Sequence, residues 1–236
     1  MIRLDKFLAD CNVGTRSEVK KLIKSGFISV NGSIVNDIGF KTDEKCDIIK
    51  FNGKIVQYQK YIYIMLNKPS GVISATEDDT DKTVIDLLPQ KYKNADIFPV
   101  GRLDKDTVGL LLLCNDGAFA HNTLSPKKHI DKTYIVGFDG VLPDNAEALF
   151  NEGIQLKDFK CKSAKLKILS PSRAEVVISE GKYHQVKRMF KALGCEVTYL
   201  ERTAFGEISL DKNLKRGEFR ELNEEEMKYI SRFCGK

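Results

Sequence analysis

In Ser163-Ala164-Lys165-Leu166-Lys167-Ile168 every second residue is apolar. Side chains on a strand alternate between faces, so this segment buries one face and wets the other, which suits an antiparallel sheet better than a parallel one covered on both sides. Further strand-like runs surround it: Ile62 to Leu66, Gly109 to Cys114, Tyr134 to Phe138, Cys161 to Leu169, Ala174 to Ile178 and Glu196 to Leu200. Helical patterns interrupt these strands rather than alternate with them, at Asp144 to Asn151 and at Tyr183 to Leu193, the latter burying Val186, Met189, Phe190 and Leu193. This order predicts an α+β protein whose larger part is a mainly antiparallel mixed sheet.

The N-terminal quarter is patterned differently. Leu4, Phe7, Leu8 and Cys11 recur at helical spacing, and Thr15 with Glu18 forms a capping box before a second helix striped by Val19, Leu22 and Ile23. Gly26 stops that helix, and Asn31-Gly32 between Phe27-Ile28-Ser29-Val30 and Ile34-Val35 is a strong hairpin signal. Two helices and a hairpin make a small α/β module. Arg16, Lys20 and Lys24 fall at intervals of four and so share one face of the second helix, away from the apolar stripe. Residues 1–60 hold 11 Lys/Arg against 7 Asp/Glu, while the remaining 176 hold 27 against 26. A local positive excess is what a phosphate-neutralising module needs, although a merely solvated helix face carries the same charge. A hinge near Tyr58 to Lys60 would divide the chain into domains 1-58 and 59-236.

With 42% apolar and 30% charged residues, the 236-residue chain has the balance of a folded globular protein. No apolar run approaches the roughly 20 residues that span a bilayer, and Met1-Ile2-Arg3-Leu4-Asp5-Lys6 lacks a signal-peptide core, so a cytoplasmic protein without membrane contact is expected. The six cysteines form no Cys-x-x-Cys pair and have no His at ligand spacing; reduced thiols and no metal site are expected.

A charge-rich loop abuts a wholly apolar strand in Phe98-Pro99-Val100-Gly101-Arg102-Leu103-Asp104-Lys105-Asp106-Thr107-Val108-Gly109-Leu110-Leu111-Leu112-Leu113-Cys114, and an Asn115-Asp116-Gly117 turn follows. Rigid scaffolds present catalytic groups on such loops. Gly101-Arg102-Leu103-Asp104, with Thr107, Gly109-Leu110 and Asn115-Asp116-Gly117, resembles the signature of bacterial pseudouridine synthases of the ribosomal small-subunit type. Asn67-Lys68-Pro69-Ser70-Gly71 is similar to that family's opening strand and turn, and Lys132-Thr133-Tyr134 to its second motif. Glu180-Gly181-Lys182-Tyr183-His184-Gln185-Val186-Lys187-Arg188-Met189 is similar to its third. Arg3-Leu4-Asp5-Lys6-Phe7-Leu8, Thr15-Arg16-Ser17 and Ile23 through Gly32 resemble the RNA-binding domain first described in ribosomal protein S-four. Together these resemblances cover nearly the whole chain.

The resemblance implies that Asp104 is the catalytic residue, with Lys187 as its ionic partner and Tyr134 as an aromatic wall whose hydroxyl orients the aspartate or assists proton transfer. An aspartate is ionised at neutral pH, and burying it without a nearby cation would cost several kcal/mol. Arg102 is implied to fill the space left by an everted uridine, and Arg188 to meet a phosphate. Arg3, Arg16, Lys20 and Lys24 are the expected RNA contacts of the N-terminal module, and His184 and Gln185 are expected to support the pocket wall. No cofactor is required by an isomerisation without redox change. The implied partner is ribosomal RNA or a ribosomal subunit assembly intermediate, met by a monomer. Small-subunit 16S rRNA is the expected substrate; large-subunit 23S rRNA, or an inactive RNA-binding assembly factor, are the alternatives. Asp104-Lys105-Asp106-Thr107-Val108 also fits the motif of haloacid-dehalogenase-like phosphatases, but there the aspartates end a buried strand, whereas here the apolar strand follows them.

Overall fold

The computed structural model describes residues 1–11, 13–44, 46–56, 61–125 and 129–234. The chain separates into two compact units, Met1–Ile62 with Pro89–Ile97, and Tyr63–Leu88 with Phe98–Lys236. The hinge expected at Tyr58 to Lys60 lies outside the described residues.

The first unit begins with β1 (Ile2–Arg3), α1 (Leu4–Asp10) and α2 (Arg16–Lys24), followed by β2 (Ile28–Val30), β3 (Ser33–Ile34), β4 (Lys41–Thr42), β5 (Ile49–Phe51) and β6 (Lys54–Ile55). It also takes in a short α3 (Gln90–Lys93). The capping box at α2 is formed as expected: the Thr15 amide donates to Glu18 Oε2 at 2.8 Å and the Glu18 amide to Thr15 Oγ1 at 3.3 Å. Gly26, at φ 74°, ends the helix. Pairing of Ser29 with Ile34 and of Val30 with Ser33 leaves Asn31-Gly32 as a two-residue turn, and their φ values of 51° and 85° give it the hand that matches strand twist. Strands run in the order β3-β2-β5-β6, while β1 pairs with β4. Leu4, Phe7, Leu8, Val19, Ile23, Ile28, Val30 and Ile49 form the core between helices and sheet.

The second unit is built on one sheet. Its elements are β7 (Tyr63–Lys68), β8 (Phe98–Pro99), β9 (Val108–Cys114), α4 (Gly117–Leu124), β10 (Lys132–Asp139), α5 (Ala146–Glu152), β11 (Lys165–Ser170), β12 (Arg173–Ile178), α6 (Gln185–Ala192), β13 (Glu196–Phe205), β14 (Ile208–Ser209), β15 (Phe219–Glu221) and α7 (Glu224–Ser231), with a 3-10 turn at Ile85–Leu87. The sheet runs β11-β12-β10-β13-β9-β7-β15, with β14 added to β13 and β8 to β9. Among the described strands all neighbours are antiparallel except β9 and β13, which run parallel, so the sheet is mixed and mainly antiparallel as expected. Gly109 permits that parallel contact: at φ +99° a Cβ there would stand 2.3 Å from the Arg202 carbonyl oxygen.

Three expectations need correction. The strand foreseen from Cys161 to Leu169 starts only at Lys165, because the Cys161 and Ala164 amides bond back to Ile154 and Phe150 instead of to a neighbouring strand. β11 is an edge strand, and Ile168 is 42% exposed although Ala164 and Leu166 are buried. The helix foreseen from Tyr183 begins at Gln185, since His184 takes a left-handed φ of 49°, and Leu193 is only half-buried. Asn115-Asp116-Gly117 is a helix start rather than a simple turn, with buried Asp116 capping α4 through the Phe119 amide and accepting the Tyr63 hydroxyl at 2.7 Å. No described helix is long and apolar enough to cross a membrane.

Candidate active site

The loop between β8 and β9 is held from beneath by a residue that sequence reasoning did not single out. Lys68, the last residue of β7, is fully buried, and its ammonium donates to the carbonyls of Thr107 at 2.9 Å, Asp104 and Pro69 at 3.1 Å and Lys105 at 3.2 Å. The Thr107 amide closes the same loop onto the Asp104 carbonyl at 3.1 Å. Burial pushes the Lys68 ammonium down to about 8, with Asp106 and Asp104 pulling it back up. A lysine that ends a wholly buried strand and runs into a proline was the available signal.

The loop presents Asp104 with its side chain 27% exposed. One carboxylate oxygen is 3.5 Å from His184 Nε2 and the other 3.5 Å from Lys187 Nζ. Lys187 therefore reaches Asp104 as expected, but it is neither the only nearby cation-forming group nor chiefly that residue's partner. It grips both oxygens of Asp106, at 2.6 and 2.7 Å. Asp106 is the more exposed carboxylate, and it can offer both oxygens to an ammonium arriving from α6, whereas Asp104 divides its two oxygens between Lys187 and His184. Burial raises the Asp106 pKa, but the hydrogen bonds and charge of Lys187 outweigh it, and the net effect is a lowered pKa. Lys187 thus ties α6 to the Asp104 loop. His184, held in its left-handed conformation, stacks its ring on Tyr183 at 3.8 Å and 17°.

Asp104, His184, Thr107 and buried Tyr134 share the wall of a cleft of about 70 Å³. Larger hollows adjoin it on two sides, one of about 490 Å³ that includes Asp104, Tyr183 and His184, and one of about 350 Å³ that includes Tyr134. Arg102 lines all three and is exposed. Tyr134 sits on β10 opposite Arg202 of β13. Among the described buried side-chain polar atoms, only Thr107 Oγ1 and Arg202 Nη2 have no hydrogen-bond partner, and both residues lie along this cleft or its neighbour. Gln185 also lines the cleft and donates to Glu180 at 2.6 Å.

The expected RNA contacts fall into two groups. Arg16, Lys20 and Lys24 are exposed on α2 and make no ion pair among the described residues. Arg3 and Arg188 are engaged: Arg3 grips both oxygens of Asp5 at 3.0 Å, and Arg188 is paired with Asp158 and lies 5.1 Å from the Phe159 ring. Each already has a local carboxylate, which a phosphate would have to share or displace. Among the described residues no cluster of three or more His, Cys, Asp or Glu stands close enough to hold a metal.

Known proteins are similar to this chain over nearly its whole length. Residues 62–192 match the family model described as RNA pseudouridylate synthase, and residues 2–49 match the S4 domain. The chain is 41% identical to a ribosomal small subunit pseudouridine synthase A of Vibrio cholerae, covering 97% of this chain and 99% of that protein. It is 40% identical to a ribosomal large subunit pseudouridine synthase B of Bacillus subtilis, covering 98% and 96%. A crystal structure titled as a pseudouridylate synthase superposes with a TM-score of 0.69 at 37% identity, over 98% of this chain and all of that one. A family match over more than half the chain and full-length relatives near two-fifths identity lead to one conclusion: the chain belongs to the RNA pseudouridylate synthase family and carries an S4 domain at its N-terminus.

Proposed function

We propose that this protein converts one uridine of small-subunit ribosomal RNA to pseudouridine, with Asp104 as the catalytic residue. The observation that carries the reading is the setting of the Asp104 carboxylate. It is half-buried in a cleft walled by Tyr134, with Lys187 and His184 each 3.5 Å from one of its oxygens. Such a site keeps an anion available to a nucleoside without leaving it unpaired. In the reaction the bond from ribose C1′ to uracil N1 breaks, C1′ joins C5, the C5 proton leaves and N1 gains one. Asp104 acts at the ribose, Tyr134 faces the base, and Arg102, exposed at the rim, occupies the space an everted base leaves in the RNA.

The two relatives act on different subunits by name, and their identities of 41% and 40% do not separate them. The small-subunit assignment rests on His184-Gln185-Val186-Lys187-Arg188-Met189. In this reading the domain boundary falls between residues 58 and 59, the S4 module holds structured RNA, and the synthase unit acts as a monomer in the cytoplasm. Release of tritium from RNA labelled at uracil C5 tests the activity. Asp104→Asn is expected to keep RNA affinity and lose turnover; equal turnover would overturn the assignment. Mapping pseudouridines in ribosomal RNA from cells with and without the gene tests the substrate, and loss of a large-subunit site alone would transfer it to that subunit.

A further inference from the structure

The hollow of about 350 Å³ beside Tyr134 is not explained by the chemistry at Asp104. Its floor is a cross-strand block. Lys132 and Tyr134 lie two apart on β10, and the β13 residues opposite them are Phe205 and Arg202, respectively. Lys132 Nζ lies 5.5 Å from the centre of the Phe205 ring and the Arg202 guanidinium 5.6 Å from it, so the two cations gather over one aromatic ring.

Neither cation has a carboxylate within ion-pair distance among the described residues. Lys132 donates to the Ile130 carbonyl at 2.8 Å, and Arg202, 2% exposed, donates through Nε to the Leu110 carbonyl at 2.8 Å and leaves Nη2 without a partner. The carboxylate in this wall, Glu180, takes the Gln185 side chain at 2.6 Å and the Lys162 amide at 2.9 Å, both on Oε1, and makes no ion pair with either cation. Burial, and then Arg202, push the Lys132 ammonium down to about 8, with Asp131 and Glu180 opposing. A half-buried ammonium beside a buried guanidinium, neither held in an ion pair, is costly, and an anion entering the hollow would offset that cost. Lys182 and Arg102 extend the same positive wall toward the Asp104 cleft.

We propose that this hollow, floored by Lys132 and Arg202, is a subsite for one backbone phosphate of the RNA next to the uridine that enters the Asp104 cleft. The inference rests on the synthase reading and adds to it where the strand is gripped. A phosphodiester satisfies the observations better than a carboxylate ligand: it brings a full negative charge on two oxygens to two neighbouring donors, and it accompanies any uridine that reaches Tyr134. The subsite fixes the register of the strand and carries no base preference.

The test uses the full-length protein and an RNA substrate labelled with tritium at C5 of the target uracil. Each linkage flanking that uridine is replaced in turn by an uncharged methylphosphonate. Replacement at one linkage is expected to weaken binding on the order of tenfold, as for loss of a charge-assisted contact, while the other positions have smaller effects. Lys132→Met is expected to weaken binding of unmodified RNA, to lower the slope of log affinity against log salt by about 0.7, and to be insensitive to the linkage that matters to the wild type. Lys132→Arg should restore most of the affinity. A flat methylphosphonate profile in wild-type protein overturns the subsite whether or not the variants fold, and so does a Lys132→Met protein that responds to the same linkage as strongly as wild type. Failure of the synthase reading is separate: unmodified RNA would then release no tritium with wild-type protein.

Discussion

Replacing Lys68 by Met tests whether one buried ammonium holds the Asp104 loop in place. Its three protons are shared among four carbonyls at 2.9 to 3.2 Å, three of them in the loop itself. Two of those acceptors keep another donor after the change: the Asp104 carbonyl retains the Thr107 amide at 3.1 Å, and the Lys105 carbonyl retains the Gly71 amide at 2.9 Å. The penalty therefore falls mainly on the buried Thr107 carbonyl, at about 1–3 kcal/mol for a buried acceptor left unmet, and less on the half-buried Pro69. Relief of the ammonium's desolvation opposes it, so a net loss of about 1–3 kcal/mol is expected at pH 7, within the roughly 5–15 kcal/mol that keeps a domain folded.

Urea unfolding at pH 7 measures that loss, and single-turnover tritium release at a temperature where both proteins are folded measures its consequence. Turnover is expected to fall at least tenfold with RNA affinity little changed, because the carboxylate is displaced while the RNA-binding faces are not. The pH dependence supplies a second readout. Lys68 has a folded pKa of about 8 against the ordinary 10.5. Between those values the unfolded chain holds the proton that the folded one has lost, so this lysine makes wild-type stability rise as pH increases from about 8 toward 10.5. The Met variant lacks that contribution, and the stability gap should widen over the same range. A Met variant with wild-type stability, turnover and pH profile would refute the clamp.

Asp106→Asn removes the closer partner of Lys187, and since Asp106 is 69% exposed the stability cost should stay below about 1 kcal/mol, with turnover reduced only a few-fold; inactivity as complete as that of Asp104→Asn would make Asp106 the functional carboxylate. Lys132 should make RNA affinity fall as pH rises through about 8, where it loses its charge in the free protein, and anisotropy titrations at constant salt should show that fall shrinking in Lys132→Met; parallel curves would exclude it. Changing Arg16, Lys20 and Lys24 together to Gln should reduce the salt slope of RNA binding by about 2 and spare turnover at saturating RNA, and an unchanged slope would remove α2 from the interface.

What the sequence made legible, and what it hid, divides along one physical line. Local signals worked: the Thr15-Glu18 capping box, the Asn31-Gly32 turn, the apolar β9 and the helix ended by Gly26 each depend on residues within a few positions of one another. Asp104 and Tyr134 were found through motif resemblance, and the fold brings them to one cleft. Lys68 and Arg202 were missed because the partners that explain them are remote in sequence. Lys68 meets carbonyls 36 to 39 residues away across the β7–β9 pairing, and Arg202 meets Leu110, 92 residues away, across the parallel β9–β13 contact. A pattern of spacing assigns such charges to solvent, since lone Lys and Arg are almost never fully buried. Lys187 shows what a motif leaves out. The motif supplied Asp104 as its partner, but a carboxylate that shares its oxygens with His184 binds an ammonium less closely than one two residues on that offers both. Cations drawn out of solvent in this fold are thus markers of where backbone or substrate must supply the negative end: at Lys68 four backbone carbonyls do so, whereas Lys132 and Arg202 each hold one carbonyl and Arg202 Nη2 has no partner.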